Sequence, residues 1–178
     1  MSEQENTAAM KRIYEDIING GNINLADQLI DEKLVEFETL PGLGQGREGF
    51  KKYWTMLRSA VPDLKIRIDS MNAQGDDVVS RITITGTHKG DFMGAAGSGQ
   101  KLESYGLDIV RFANGKMVEH RGNTVGHFTG NIVPRAAGEW QKKIEDRGAV
   151  RSTYGAQQDA STLGTEKSQV GMGPPRGR

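Results

Sequence analysis

The chain has 178 residues, with 23 lysines and arginines against 23 aspartates and glutamates, and no cysteine. That length suits one domain with a segment to spare, and the balanced charge gives no pull toward nucleic acid or an anionic membrane surface. The lack of thiols excludes disulfide frameworks, thiolate zinc sites and cysteine nucleophiles.

Met1 to Ala9 is polar and acidic, and no apolar run is long enough to span a bilayer, so a cytoplasmic protein is expected. Met10, Ile13, Tyr14, Ile17 and Ile18 then recur at helical spacing before Gly20-Gly21, which predicts an amphipathic helix with a glycine stop. Asn24 is placed to cap a second, short helix carrying Leu25 and Leu29, and Leu34-Val35-Glu36-Phe37 reads as a strand. After the glycine-rich stretch Pro41 to Gly46, the spacing of Phe50, Tyr53, Trp54 and Leu57 predicts a third helix that Pro62 ends.

The pattern then changes to strands. Leu64, Ile66 and Ile68 alternate with charged residues, and past Gly75-Asp76-Asp77 the alternation resumes from Val78 to His88. A loop rich in glycine and alanine, Lys89 to Gly99, leads to a strand at about Lys101 to Phe112. Asn114-Gly115 tolerates the positive φ of a tight hairpin turn, so Lys116 to about Phe128 should return antiparallel. Helices first and antiparallel strands afterwards predict an α+β fold, with helices packed on one face of a curved, mostly antiparallel sheet. This domain is expected over residues 1–135. A last helix is expected at 136–147 around Trp140 and Ile144, and residues 148–178 are too poor in apolar side chains to offset their ordering entropy.

Strings along the chain resemble one known family. They are Leu40-Pro41-Gly42, Gly46-Arg47-Glu48-Gly49, Val61-Pro62-Asp63-Leu64, Gly75-Asp76-Asp77-Val78-Val79-Ser80-Arg81 and Gly86-Thr87-His88-Lys89-Gly90. Gly106 to Phe112 and Asn114 to His120 complete the set. In order and spacing they resemble the SnoaL-like polyketide cyclases of the nuclear-transport-factor-2 (cystatin-like) superfold. The resemblance implies a cone of helices and curved sheet around a deep apolar pocket. It also implies an intramolecular aldol closure of lyase or isomerase type on polyketide esters, with neither metal nor cofactor. Function does not travel with a fold, so the site is read separately.

His88 shares strand parity with Ile82 and Ile84, so its imidazole, which titrates near neutral pH, is a candidate proton shuttle or a hydrogen-bonded strand-end residue. Asp108 shares parity with Val110 and Phe112; a carboxylate on an apolar face must be hydrogen-bonded or have work to do. His120 matches the family's Glu-His pair. Beyond it the family continues with tryptophan and then an acid/base aspartate, whereas this chain reads Arg121-Gly122-Asn123-Thr124-Val125, with Val125 at the aspartate position. Phe37 likewise stands where the family often carries a histidine. His127 shares a strand face with Val125, Arg121 and Asn123 and could substitute as base. Tyr14, Trp54 and Met93 complete the expected substrate-binding set, although Tyr14 also reads as one member of an apolar helix face.

No two of the three histidines have close zinc-ligand spacing, so no metal is expected. Gly44-Gln45-Gly46-Arg47-Glu48-Gly49 fits the dinucleotide pattern formally, but that site needs a parallel β-α-β unit and the strands here form a meander. Two readings result. One is a cofactor-independent acid/base enzyme on a small apolar carbonyl compound, expected as a homodimer through the exposed sheet face. The other is a ligand-binding module in which Phe37 and Val125 have made the pocket inert.

Overall fold

The computed structural model of the chain describes residues 2–37, 42–122, Phe128 and Ile132. The chain divides into two compact units, Met1–Gly138 and Glu139–Arg178, and every described residue belongs to the first. The last helix expected at 136–147 and the polar tail at 148–178 lie outside the described residues.

Helix α1 spans Glu3–Arg12 and opens with a capping box in which Ser2 and Glu5 exchange hydrogen bonds. It then widens into a π-helical stretch, Ile13–Asn19, that buries Ile13, Tyr14, Ile17 and Ile18 together. Side chains from elsewhere hold the end of this stretch. Asn19 exchanges two hydrogen bonds with the Ile66 backbone, at 2.7 and 2.8 Å, and the Arg58 guanidinium donates to the carbonyls of Ile18 and Asn19. Gly21, at φ 73°, reverses the chain as the sequence predicts.

A single 3₁₀ turn, Ile23–Leu25, precedes helix α2, Ala26–Leu29. Asn24 lies inside that turn and caps nothing: the turn follows Asn22 directly, so the cap expected at Asn24 falls one element too late. Helix α3, Gly46–Ala60, turns Trp54, Leu57 and Ala60 inward and ends before Pro62. Its first residue, at φ 75°, must be glycine because a Cβ would meet the Glu32 carbonyl at 2.5 Å.

Among the described residues the strands are β1 (Ile30–Glu36), β2 (Lys65–Gln74), β3 (Asp77–Thr87), β4 (Lys101–Ala113) and β5 (Lys116–Gly122). They form one mixed sheet in the order β1-β5-β4-β3-β2, with β1 parallel to β5 and the rest antiparallel. The β4–β5 hairpin turns on Asn114 at φ 50° and Gly115 at φ 80°, as Asn-Gly chemistry dictates. Strand alternation is clean on β4, where Leu102, Ser104, Asp108, Val110 and Phe112 are buried and their neighbours exposed. The helices cover this inner face. Asn6, fully buried, donates to the Gly75 carbonyl and seats α1 against the β2–β3 hairpin. No helix among the described residues is long and apolar enough to cross a membrane.

Candidate active site

Where the wide stretch of the first helix faces the β1-β5-β4 end of the sheet, four ionisable side chains meet. Tyr14 donates its hydroxyl to Asp108 Oδ2 at 2.9 Å. On the other side of that carboxylate, His120 Nε2 lies 3.6 Å from Asp108 Oδ1, an ion-pair distance longer than a hydrogen bond. His120 Nδ1 reaches the Glu36 carboxylate at 2.8 and 2.9 Å.

Sheet register explains the meeting. Glu36 is the Cα partner of His120 across the parallel β1–β5 pair, and Asp108 is the partner of Gly122, two residues along β5. All three side chains therefore fall on one face. A register shift between Arg111 and Phe112 brings Met117 into the core below them. Gln45 fixes the end of β1 by exchanging two hydrogen bonds of 2.9 Å with the Glu36 backbone, which ties it to the start of α3.

Burial by itself disfavours an imidazolium. Here the Glu36 charge, with the Asp108 carboxylate, outweighs that cost and holds the His120 pKa well above the ordinary 6.5. The imidazole at the middle of the row is then charged at neutral pH. Tyr14 is pushed well above the ordinary 10, first by burial and then by the Asp108 charge, although Ser80 beside it works the other way. Tyr14 thus stays a neutral donor. The four groups line a cavity of about 60 Å³, walled also by Met10, Ile13, Phe50, Tyr53, Trp54 and Met117. Much of that wall is aromatic and apolar. Among the described residues no cluster of histidines and carboxylates is arranged to hold a metal ion.

The expected site residues divide. Tyr14, Trp54, Asp108 and His120 come together at the cavity. Phe37 and Arg121 do not line it: the alternation that turns Glu36 and His120 inward sends their neighbours outward, where the Arg121 guanidinium stacks 4.2 Å from the Phe37 ring centroid. His88 is buried just past β3, with Nδ1 3.3 Å from Ser98 Oγ, and is not among the lining residues. Met93 sits on an exposed turn at φ 52°. Asn123, Val125 and His127 lie outside the described residues, as does the continuation of the last strand that was expected to reach Phe128.

Glu36 lines the cavity, and sequence reasoning passed over it. Its signal was present: it shares strand parity with buried Leu34, whereas attention to Phe37 followed the family's pattern one residue later.

The family model described as SnoaL-like polyketide cyclase matches residues 8–124. Among solved structures, TsrD from Streptomyces laurentii superposes with a TM-score of 0.65 at 20% identity, over 74% of this chain and 96% of that one, a likeness of fold. AclR from Streptomyces galilaeus, a proposed hydroxylase, is 27% identical with a TM-score of 0.58, over 68% and 89% of the two chains. IdmH from Streptomyces antibioticus, a proposed polyketide cyclase, is 26% identical with a TM-score of 0.58, over 69% and 94%. No functionally curated protein matches the chain. The family match takes in α1 from residue 8 onward, the later helices and strands β1 to β5, and with them Tyr14, Glu36, Asp108 and His120, and so the chain belongs to the SnoaL-like polyketide cyclase family.

Proposed function

We propose that the protein is an acid–base enzyme that closes a ring within a small, largely apolar carbonyl substrate by an aldol-type step. The observation that supports this most directly is the row Glu36–His120–Asp108–Tyr14 on the wall of an apolar cavity. A pocket that only held an apolar ligand would have no use for four ionisable groups there, since burying each costs free energy.

Asp108 is the base. Its Oδ2 is held by Tyr14, while Oδ1 is buried with no hydrogen-bond partner among the described residues. Oδ1 takes the proton from the carbon next to a carbonyl, and the C–H electron pair becomes an enolate whose oxygen faces the imidazolium of His120. The enolate carbon bonds to a second carbonyl carbon of the same molecule. The π pair of that carbonyl moves to its oxygen, which recovers the proton from Asp108. The product is an isomer of the substrate, and every step uses side chains of this chain alone. His88 takes no part.

Exchange of α-hydrogens for deuterium in a small aryl alkyl ketone, followed by NMR, reads the first step without the natural substrate. The wild-type protein should accelerate it and Asp108→Asn should lower the acceleration by about 10²- to 10⁴-fold. Equal rates in the two would refute Asp108 as base. A wild-type protein that binds the ketone but leaves its exchange at the rate in buffer would instead be the ligand-binding module.

A second copy of the chain is the proposed partner for the outer sheet face, in a cytoplasmic homodimer. There Val79, Tyr105 and Ile109 are exposed among charges of both signs, including Arg81, Arg111 and Glu119, a mixture that suits a self-complementary contact. Sedimentation velocity should show Ile109→Glu as a monomer where the wild type is a dimer; a monomeric wild type would refute this.

A further inference from the structure

We propose that Gly122 is a positioning residue for Asp108: lacking a side chain, it leaves Oδ1 uncrowded and able to accept a proton. The inference rests on the reading of Asp108 as the base.

Ser80, Asp108 and Gly122 lie in one row across β3, β4 and β5. Both residues flanking the carboxylate are small. On the β3 side stand Ser80 and, from the first helix, Tyr14, which fastens Oδ2. On the β5 side a Cβ placed on Gly122 would collide with Asp108 Oδ1 and would lie 3.2 Å from its Cγ and 3.1 Å from the Leu107 carbonyl oxygen.

Glycine weakens a strand, because it loses more backbone freedom on folding than other residues and packs nothing. Gly122 is not among the residues of positive φ, so its backbone does not require glycine. What requires it is space for Oδ1. That oxygen is buried, has no hydrogen-bond partner among the described residues, and lies 3.6 Å from His120 Nε2, beyond hydrogen-bond range. The carboxylate is therefore held at one oxygen and left without a hydrogen bond at the other. A methyl group at position 122 would force Oδ1 out of this position, and His120 Nε2, 3.6 Å away on the same sheet face, is a donor that can receive it. A tighter bond to that imidazolium stabilises the anion and makes it a poorer base.

The ionisable groups facing Asp108 are Tyr14 from the first helix and His120 from β5, with Glu36 of β1 behind His120.

The test is Gly122→Ala in the full chain, using α-hydrogen exchange of the same ketone across pH. The expected result is a fall in kcat of at least about tenfold with KM changed less than about twofold. The acid limb of the pH–rate profile should move to lower pH, as befits a carboxylate in a tighter ion pair. A purely structural glycine would lower the melting temperature and leave that limb in place. A folded Gly122→Ala protein with wild-type kcat and an unmoved acid limb overturns the proposal.

A second measurement needs no activity: the stability cost of Gly122→Ala is compared in the native and Asp108→Ala backgrounds. The cost should largely disappear when the carboxylate is gone, and an equal cost in both overturns the proposal. Failure of the base assignment itself shows separately, as unchanged exchange in Asp108→Asn.

Discussion

Replacing His120 by glutamine tests the charge state on which the site depends. The imidazolium lies 2.8 Å from Glu36 and 3.6 Å from Asp108, and the three side chains are 13%, 19% and 5% exposed. At an effective dielectric constant of about 20 these separations correspond to attractions of about 6 and about 5 kcal/mol. Desolvation of the three charges offsets several kcal/mol of that. Removing the cation leaves two carboxylates facing each other without compensation, so His120→Gln should destabilise the fold by about 3–5 kcal/mol at pH 6.

The folded-state pKa of His120 is raised, so its contribution is fully present below the unfolded value near 6.5 and is lost as pH rises through the folded value. Glutamine does not titrate. The difference between wild type and variant must therefore be largest near pH 6 and shrink through the alkaline range. Urea unfolding followed by circular dichroism at pH 6 and pH 9, at one ionic strength, measures it. A difference of the same size at both pH values would refute the view that a charged imidazole holds the row together.

Two further variants probe the neighbours of that row. Tyr14→Phe removes the donor to Asp108 Oδ2 and should cost about 1.5–3 kcal/mol, with most of the loss absent in an Asp108→Ala background by a double-mutant cycle in urea. Trp54→Ala, at a position 6% exposed on the cavity wall, should cost about 3–5 kcal/mol in the same assay and weaken binding of the ketone probe.

Much of the scaffold was legible because its signals are local. The apolar spacing of Met10 to Ile18, the break at Pro62, the alternation of β3 and β4 and the Asn114-Gly115 turn each act within a few residues, and each forms where the pattern places it. The inward aim of Asp108 was readable in the same way, since β4 keeps its alternation unbroken for thirteen residues. The site was harder. Arg121 was expected near the pocket from the parity of a strand running on past it, yet the pairing of β5 with β1 turns His120 inward and Arg121 out. Glu36 shares strand parity with buried Leu34 and was legible in the same way, but the family's pattern points one residue on, to Phe37.

By itself the sequence determined the elements, their order, the apolar faces and the family, since periodicity and turn chemistry are properties of neighbouring residues. Only the tertiary structure decided the site. Tyr14, Glu36, Asp108 and His120 come from four separate elements, with Tyr14 and Asp108 94 positions apart and Glu36 and His120 84 positions apart in sequence. Which of their atoms touch depends on the parallel pairing of the first strand with the last and on the empty side of Gly122. Those are distances across the fold, and no local pattern encodes them.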